Sequence, residues 1–255
     1  MLERFVLPLV GLAAALLAWS LGIHWLSRDM PIAESFAPGP SLAALVEMFR
    51  SGIIWPHLWT SLRRVGVGLL CACAIGIPLG VLTGAARRFA LATSPLFQLL
   101  RMISPLSWMP LAVMFLGIGD APVYFLLSFA AVWPILLNTA VGVHSLDPNW
   151  LTLARSLSAT RWETVTRIVL PGITAHVLTG IRLAIGIIWI VLVPAEMLGV
   201  SSGLGYFILD TRDRLAYSEL MAAIVLIGVL GFLLDLIARL AYRHWLHVES
   251  ASSTD

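Results

Sequence analysis

Charge is what this chain has least of. Only 12% of its residues are charged, while 59% are hydrophobic and mean hydropathy is +0.93. A soluble domain carries about 25% charged residues, so an ordinary water-facing surface is excluded and the chain reads as a polytopic membrane protein. Lysine is missing altogether, all 16 basic residues being arginine, which reflects codon bias before chemistry. The net charge of +2 carries no nucleic-acid footprint. Cysteine occurs twice, at Cys71 and Cys73. Two apart in an apolar run, they fall on different helix faces, which argues against a mutual disulfide. There is no CxxC and no histidine cluster, hence no metal site. No GxxxxGK[ST] is present, so nucleotide has no P-loop here. His144 and His176 are accompanied by no HExxH, no GxSxG and no paired carboxylates, which removes the usual grounds for an enzyme.

What is present is an all-α pattern of about six transmembrane helices. Val6 to Leu26 is the first apolar run, about 21 residues, enough to cross ~30 Å of hydrocarbon. It reads as a retained span rather than a cleaved signal peptide, whose apolar region is shorter. Residues 1–60 form an N-terminal unit, because Ser27 to Thr60 is polar. Within it Leu42, Leu45, Val46 and Phe49 share one helical face, an amphipathic helix that lies on the membrane surface or packs on the bundle. Residues 61–245 form the core. Ser61 to Gly84 is the second span, with Gly66, Gly68, Gly76 and Gly80, small residues that let helices approach closely in lipid. Leu91 to Gly119 is broken by Pro105 and Pro110 around Trp108, tolerated only where protein or a cavity re-satisfies the backbone. Ala121 to Val143, with Pro134 and Asn138, is the fourth span; Gly172 to Gly199 is the fifth and Glu219 to Tyr242 the sixth. Residues 246–255 read as a short disordered tail.

Between the fourth and fifth spans lies a polar insert, Leu151 to Pro171. Asp147 and Pro148 are a natural helix start. Leu153 and Leu157, with the small Ala154 and Ser158, suit a helix seated in a groove of another protein. After Ala159–Thr160 a second short helix carries Trp162, Val165, Ile168 and Val169 on one face and ends at Pro171. With the termini inside, Arg4, Arg87, Arg88, Arg155, Arg161, Arg167, Arg239 and Arg243 fall in the cytoplasm. Only Arg28, Arg50, Arg212 and Arg214 fall outside, with Arg63 and Arg64 at an outer helix end. This bias places the insert on the cytoplasmic side.

Three ionisable residues interrupt the apolar runs. Arg182, eleven residues after Pro171, sits ~16 Å along its helix, near mid-membrane. It either favours passage of an anion or is held by a local partner. Glu196, fourteen residues further, belongs near the outer end, as part of a gate or as a hydrogen-bonded interface carboxylate. Asp235 and Arg239 form an i,i+4 pair.

The insert resembles the cytoplasmic loop of ABC importer permeases, whose motif runs Glu-Ala-Ala, three residues, Gly, nine residues, Ile, one residue, Leu-Pro. Thr152, Leu153 and Ala154 stand for the triplet, Ser158 for the glycine, and Ile168, Leu170 and Pro171 match. RMISPLSWMPLAVMFLGIG, WPILLNTAVGV, TGIRLAIGIIWIVLVPAEMLG and SGLGYFI are similar to permeases of the nitrate/sulfonate/taurine/bicarbonate group. The resemblance implies a pore subunit in the cell inner membrane, importing a small, anionic solute. Its partners would be a second permease copy, two cytoplasmic ATPases that hold ATP and Mg, and an extracytoplasmic solute-binding protein. No cofactor would bind this chain. Thr152 to Thr160, with Leu170 and Pro171, would couple to the ATPase. Pro105, Trp108, Pro110, Asn138, Arg182 and Glu196 would line or gate the pathway. Gly203 and Gly205 would lie in an outer turn near the binding-protein dock. The alternative, an ion-coupled secondary carrier, commonly shows internal repeats, and none is evident.

Overall fold

The computed structural model describes residues 3–252, which are helical throughout apart from short connections. The order is α1 (Glu3–Leu26), a 3₁₀ turn (Pro31–Phe36), α2 (Pro38–Ser51), α3 (Ile54–Ala85), α4 (Arg87–Met102), a second 3₁₀ turn (Pro105–Trp108) and α5 (Met109–Leu116). Then come α6 (Asp120–His144), α7 (Pro148–Ser156), α8 (Arg161–Thr164), a π segment (Val165–Val169), α9 (Leu170–Glu196), α10 (Leu204–Asp213) and α11 (Tyr217–Ser252). Among the described residues, four helical stretches are long and apolar enough to cross a membrane: α3, α6, the continuous run Arg161–Glu196, and Tyr217–Tyr242 of α11. The pair α4 and Pro105–Leu116, bent by 89°, adds one broken span, and Val10–Leu26 of α1 is a shorter apolar helix.

Three helices make the centre. Along α3, Gly68, Ala72, Gly76, Gly80 and Gly84 recur every four residues and so share one face. A Cβ on Gly68, Gly76, Gly80 or Gly84 would strike Leu127, Ile135, Thr139 or Val143 of α6, respectively. The constant offset means that α3 and α6 run parallel, the broken span between them returning the chain. α9 runs antiparallel to α6: Gly142 meets Ile173 and His176, while Gly180 meets Ile135 and Asn138. Lipid gives no hydrophobic drive for helices to associate, so close backbone approach over small residues replaces it. Gly66, read from the sequence as part of this stripe, faces open space instead.

Other boundaries shift for local reasons. The second span begins at Ile54, not Ser61. Ile54 is buried with Met48, Leu204, Phe207 and Leu226, and Trp55 packs edge-on against Phe49, so the polar His57 and Thr60 do not break the helix. α2 packs on α11 through Met48, the second of the two arrangements open from its sequence, although Leu42 and Val46 remain exposed. α11 runs on to Ser252, through most of the segment expected as a disordered tail. The second helix of the insert does not end at Pro171 but continues into α9. Proline has no N–H and its ring clashes with the carbonyl four residues back. The π segment absorbs both, since Leu170 N–H already reaches back five residues to Val165 O.

Replacing Gly80 by valine should cost about 1–3 kcal/mol through overpacking of the α3–α6 contact. Gly66→Ala should be near neutral. Thermal unfolding of the purified protein in detergent reads both, and equal melting temperatures would refute the stripe.

Candidate functional site

The helix ends at one extremity of the bundle converge on a buried ionic cluster. α3 supplies Arg64, the start of α6 supplies Asp120 and the end of α9 supplies Glu196. Arg64 is 1% exposed and Glu196 is fully buried. Arg64 donates from Nη1 to Glu196 Oε1 at 2.8 Å and to the Ser202 carbonyl at 2.6 Å, and from Nε to Asp120 Oδ1 at 2.9 Å. Arg63 pairs with the other oxygen of Asp120. Two arginines therefore face two carboxylates, and the cluster is neutral. Ser61 Oγ lies 2.8 Å from both carboxylate oxygens of Glu196.

The same groups cap α10. Leu204 N–H donates to Ser61 Oγ at 2.8 Å and Gly205 N–H to Glu196 Oε2 at 3.0 Å. Gly203 N–H donates to His57 Nδ1 at 3.2 Å. The first N–H groups of a helix lack intrahelical partners and favour negative charge; here side chains from α3 and α9 meet that need. Gly203 and Gly205 are buried beneath this cap. Gly203 has φ +116°, and a Cβ there would lie 2.5 Å from Glu196 Cδ and 2.6 Å from Arg64 Nη1. A second tie joins the neighbouring turns, from Gly119 N–H to Gly199 O at 3.2 Å.

At the opposite extremity stands the insert. Asp147 caps α7 by accepting from Asn149 N–H at 2.9 Å, with Pro148 in the first turn. α7 closes in a Schellman motif: Ala159 N–H reaches Ala154 O and Ser158 N–H reaches Arg155 O, both at 3.0 Å. That motif puts Ser158 in the left-handed region at φ +55°. Glycine is the residue that adopts this conformation without strain, so backbone geometry, beyond small size, accounts for a glycine at that motif position. Thr160 then opens the next helix with a capping box to Glu163. Thr160-x-x-Glu163 is a legible signature that the reading by apolar stripes passed over. Trp150, Leu153 and Leu157 are exposed by 61%, 57% and 74%, whereas Ala154 is buried within its own chain. The surface α7 offers is therefore the leucine face with Trp150, and Ala154 is not part of it.

The residues expected along a pathway do not form one site. Pro105 opens the 3₁₀ turn, Pro110 lies in the first turn of α5, and Trp108 packs on Phe129 at 5.6 Å, so these three mark the 89° break. Asn138 faces α9 and donates to Pro134 O at 2.8 Å. Arg182 pairs with Asp235 at 3.6 Å, and Asp235 also pairs with Arg239, the expected i,i+4 contact. Glu196 belongs to the ionic cluster. Sequence reasoning missed Ser61, Arg64 and Asp120 as its partners. Charges at helix ends looked ordinary, and nothing local joins residues separated by 132 positions.

Residues 76–246 match the binding-protein-dependent transport system inner membrane component family. The chain belongs to that family. It is an inner-membrane, multi-pass permease of the ABC importer type, a class that is not enzymatic and works with a separate ATPase and a binding protein. Among relatives, the permease is 34% identical over 249 residues to the bicarbonate transport system permease protein CmpB of Synechococcus elongatus, covering 92% of this chain and 87% of that one. It is 31% identical to the taurine transport system permease protein TauC of Escherichia coli, over 92% and 88% of the two chains. It is 30% identical to the putative aliphatic sulfonates transport permease protein SsuC of Bacillus subtilis, over 95% and 86%. A chain of the methionine ABC transporter MetNI, solved in inward-facing conformations, shares the permease fold with a TM-score of 0.61 at 16% identity, over 76% of this chain and 97% of that one.

Glu196→Ala should destabilise the permease by about 3–5 kcal/mol, because it leaves the buried Arg64 with only the part-exposed Asp120 as counter-charge and takes the acceptor from Gly205 N–H. Detergent melting curves measure this, and a loss below about 1 kcal/mol, within the range of an exposed pair, would refute the cluster. Ser158→Gly should strengthen the insert by about 1 kcal/mol by relieving the left-handed residue. The readout is slower hydrogen exchange at the Ser158 and Ala159 amides.

Proposed function

We propose that the permease conducts a small anion of the nitrate, bicarbonate, sulfonate or taurine kind, and that α7 is its coupling helix. The exposed face of Trp150, Leu153 and Leu157 carries the coupling reading. A short helix with three large apolar side chains turned outward, between two spans, is a surface made to be covered. In this reading Thr152 to Thr160 occupy a cleft of the cytoplasmic ATPase, which holds ATP and Mg, and the termini lie on the same side. Leu170 and Pro171 join that helix to α9. Names of the relatives above support the anion class.

A second copy of the permease completes the pore and a second ATPase completes the motor. The break at Pro105, Trp108 and Pro110 lines the route, while Asn138, Arg182 and Glu196 act on it through the packing and charge pairs described. An extracytoplasmic binding protein docks at the ionic-cluster end. Gly203 and Gly205 hold that turn in shape from beneath, and the exposed Ser201 and Arg212 to Leu215 present its surface.

The reconstituted transporter should import at least one solute from a panel of the anions nitrate, bicarbonate and methanesulfonate and the zwitterionic sulfonate taurine, with ATP hydrolysis stimulated by the binding protein. Leu157→Asp should abolish uptake while the permease still inserts and binds its second copy. Wild-type uptake in Leu157→Asp would remove α7 from coupling. Import of none of the panel would remove the anion class.

A further inference from the structure

One face of α4 carries Arg87, Leu91, Ser94, Gln98 and Arg101, spaced by three and four residues. This face borders a cavity of about 430 Å³ between α4 and α6, also lined by Trp133 and His144. The volume lies within the range of small-molecule sites, about 300–1,000 Å³. The lining includes Arg87, Arg101 and His144 and no aspartate or glutamate. Among the described residues neither Arg87 nor Arg101 takes part in an ion pair. Fourteen residues separate the two arginines, ~21 Å along the helix. His144 ends α6 immediately before the insert, so Arg87 and His144 mark the insert end of the cavity.

Arg101 marks its deep end. It shares that position with Trp133, which lies eleven residues, ~16 Å, up α6 from His144. A second cavity of about 310 Å³ begins there, lined again by Arg101 and Trp133 and then by Ile103, Pro105 and Ile187. Arg101 thus stands at the junction of two cavities, directly before the break in the span. An arginine at membrane depth without a counter-charge is costly unless a polar cavity or a ligand receives it. Trp133 lines both cavities, and its buried indole N–H has no acceptor among the described residues.

We propose that Arg101, with Trp133, Gln98 and Ser94, forms an anion-binding subsite within the permease. It takes a small oxyanion or sulfonate group, and Arg87, beside His144, provides a cationic approach from the insert end. The guanidinium fork matches a planar or tetrahedral oxyanion with paired donors. An amine with no anionic group of its own would meet an arginine at either end of the cavity. The proposal deepens the anion reading and rests on it.

The test uses the assembled transporter in nanodiscs, with iodide as an anionic quencher and acrylamide as a neutral one. The Trp133 fluorescence component is taken as the difference between the native protein and Trp133→Phe. Iodide quenching of that component, relative to acrylamide, should fall about fivefold in Arg101→Gln, roughly what one unit charge at ~4 Å contributes even in water. Arg101→Lys should retain most of it, and nitrate should compete with iodide in the native protein. An unchanged iodide ratio in Arg101→Gln overturns the subsite. If acrylamide quenching shows that Arg101→Gln has lost its fold, Arg87→Gln is read in its place, with a smaller fall expected and an unchanged ratio again decisive. The two readings fail separately. Quenching that behaves as expected, with no anion imported, keeps the subsite and removes the anion cargo. Normal anion import with charge-insensitive quenching does the reverse.

Discussion

Glu196 and Arg64 can be buried only because each finds the other and several further groups besides. An isolated charge in such a place costs several kcal/mol. Here a carboxylate of α9 meets a guanidinium of α3, which in turn holds Asp120 of α6. The three central helices are thereby tied at one extremity. The start of α10 is tied with them, because its first N–H groups have no other acceptors. The glycines at 203 and 205 follow from the same requirement, since the backbone has to pass within contact distance of the ion pair. One electrostatic demand thus explains a turn, a helix start and a residue choice that look unrelated along the chain.

A second constraint is backbone satisfaction at prolines, and the chain resolves it in two different ways. At Pro105 and Pro110 the helix gives way to a 3₁₀ turn and changes direction by 89°. At Pro171 the helix continues unbroken, and the hydrogen-bond ladder slips by one residue in the π segment instead. The difference lies in the neighbourhood. Ile173, just past Pro171, is fully buried against the α6 contact, so α9 is held in line. The α4–α5 break faces cavities on α6, where the backbone is free to turn.

Much of this was readable from the residues. Composition and apolar length announced the spans, the two prolines around Trp108 announced the break, and Asp147-Pro148 announced the insert helix. Spacing within the insert also located the joint at Ala159–Thr160. What could not be read was anything that joins distant positions. Arg63 and Arg64 look like a helix-end anchor until Asp120 and Glu196 are brought beside them. Arg182 carries no local sign of Asp235, which lies on another helix. Ser158 was legible as small, but its positive φ is a property of the closed turn. The face of α4 was legible in principle, since Arg87, Ser94, Gln98 and Arg101 repeat at helical spacing. It was hidden because only α6 shows what that face borders.

The slipped ladder at Pro171 has a mechanical meaning. Because it bridges the proline without a break, Arg161 and Glu196 belong to one continuous helix of 36 residues, a strut of ~54 Å. The insert is fixed to one tip of this strut and the Arg64–Glu196 pair to the other. A push or twist delivered at Arg161 therefore travels along unbroken helix, and its far tip is a carboxylate that cannot move without either dragging α3 and α10 along or parting from its guanidinium.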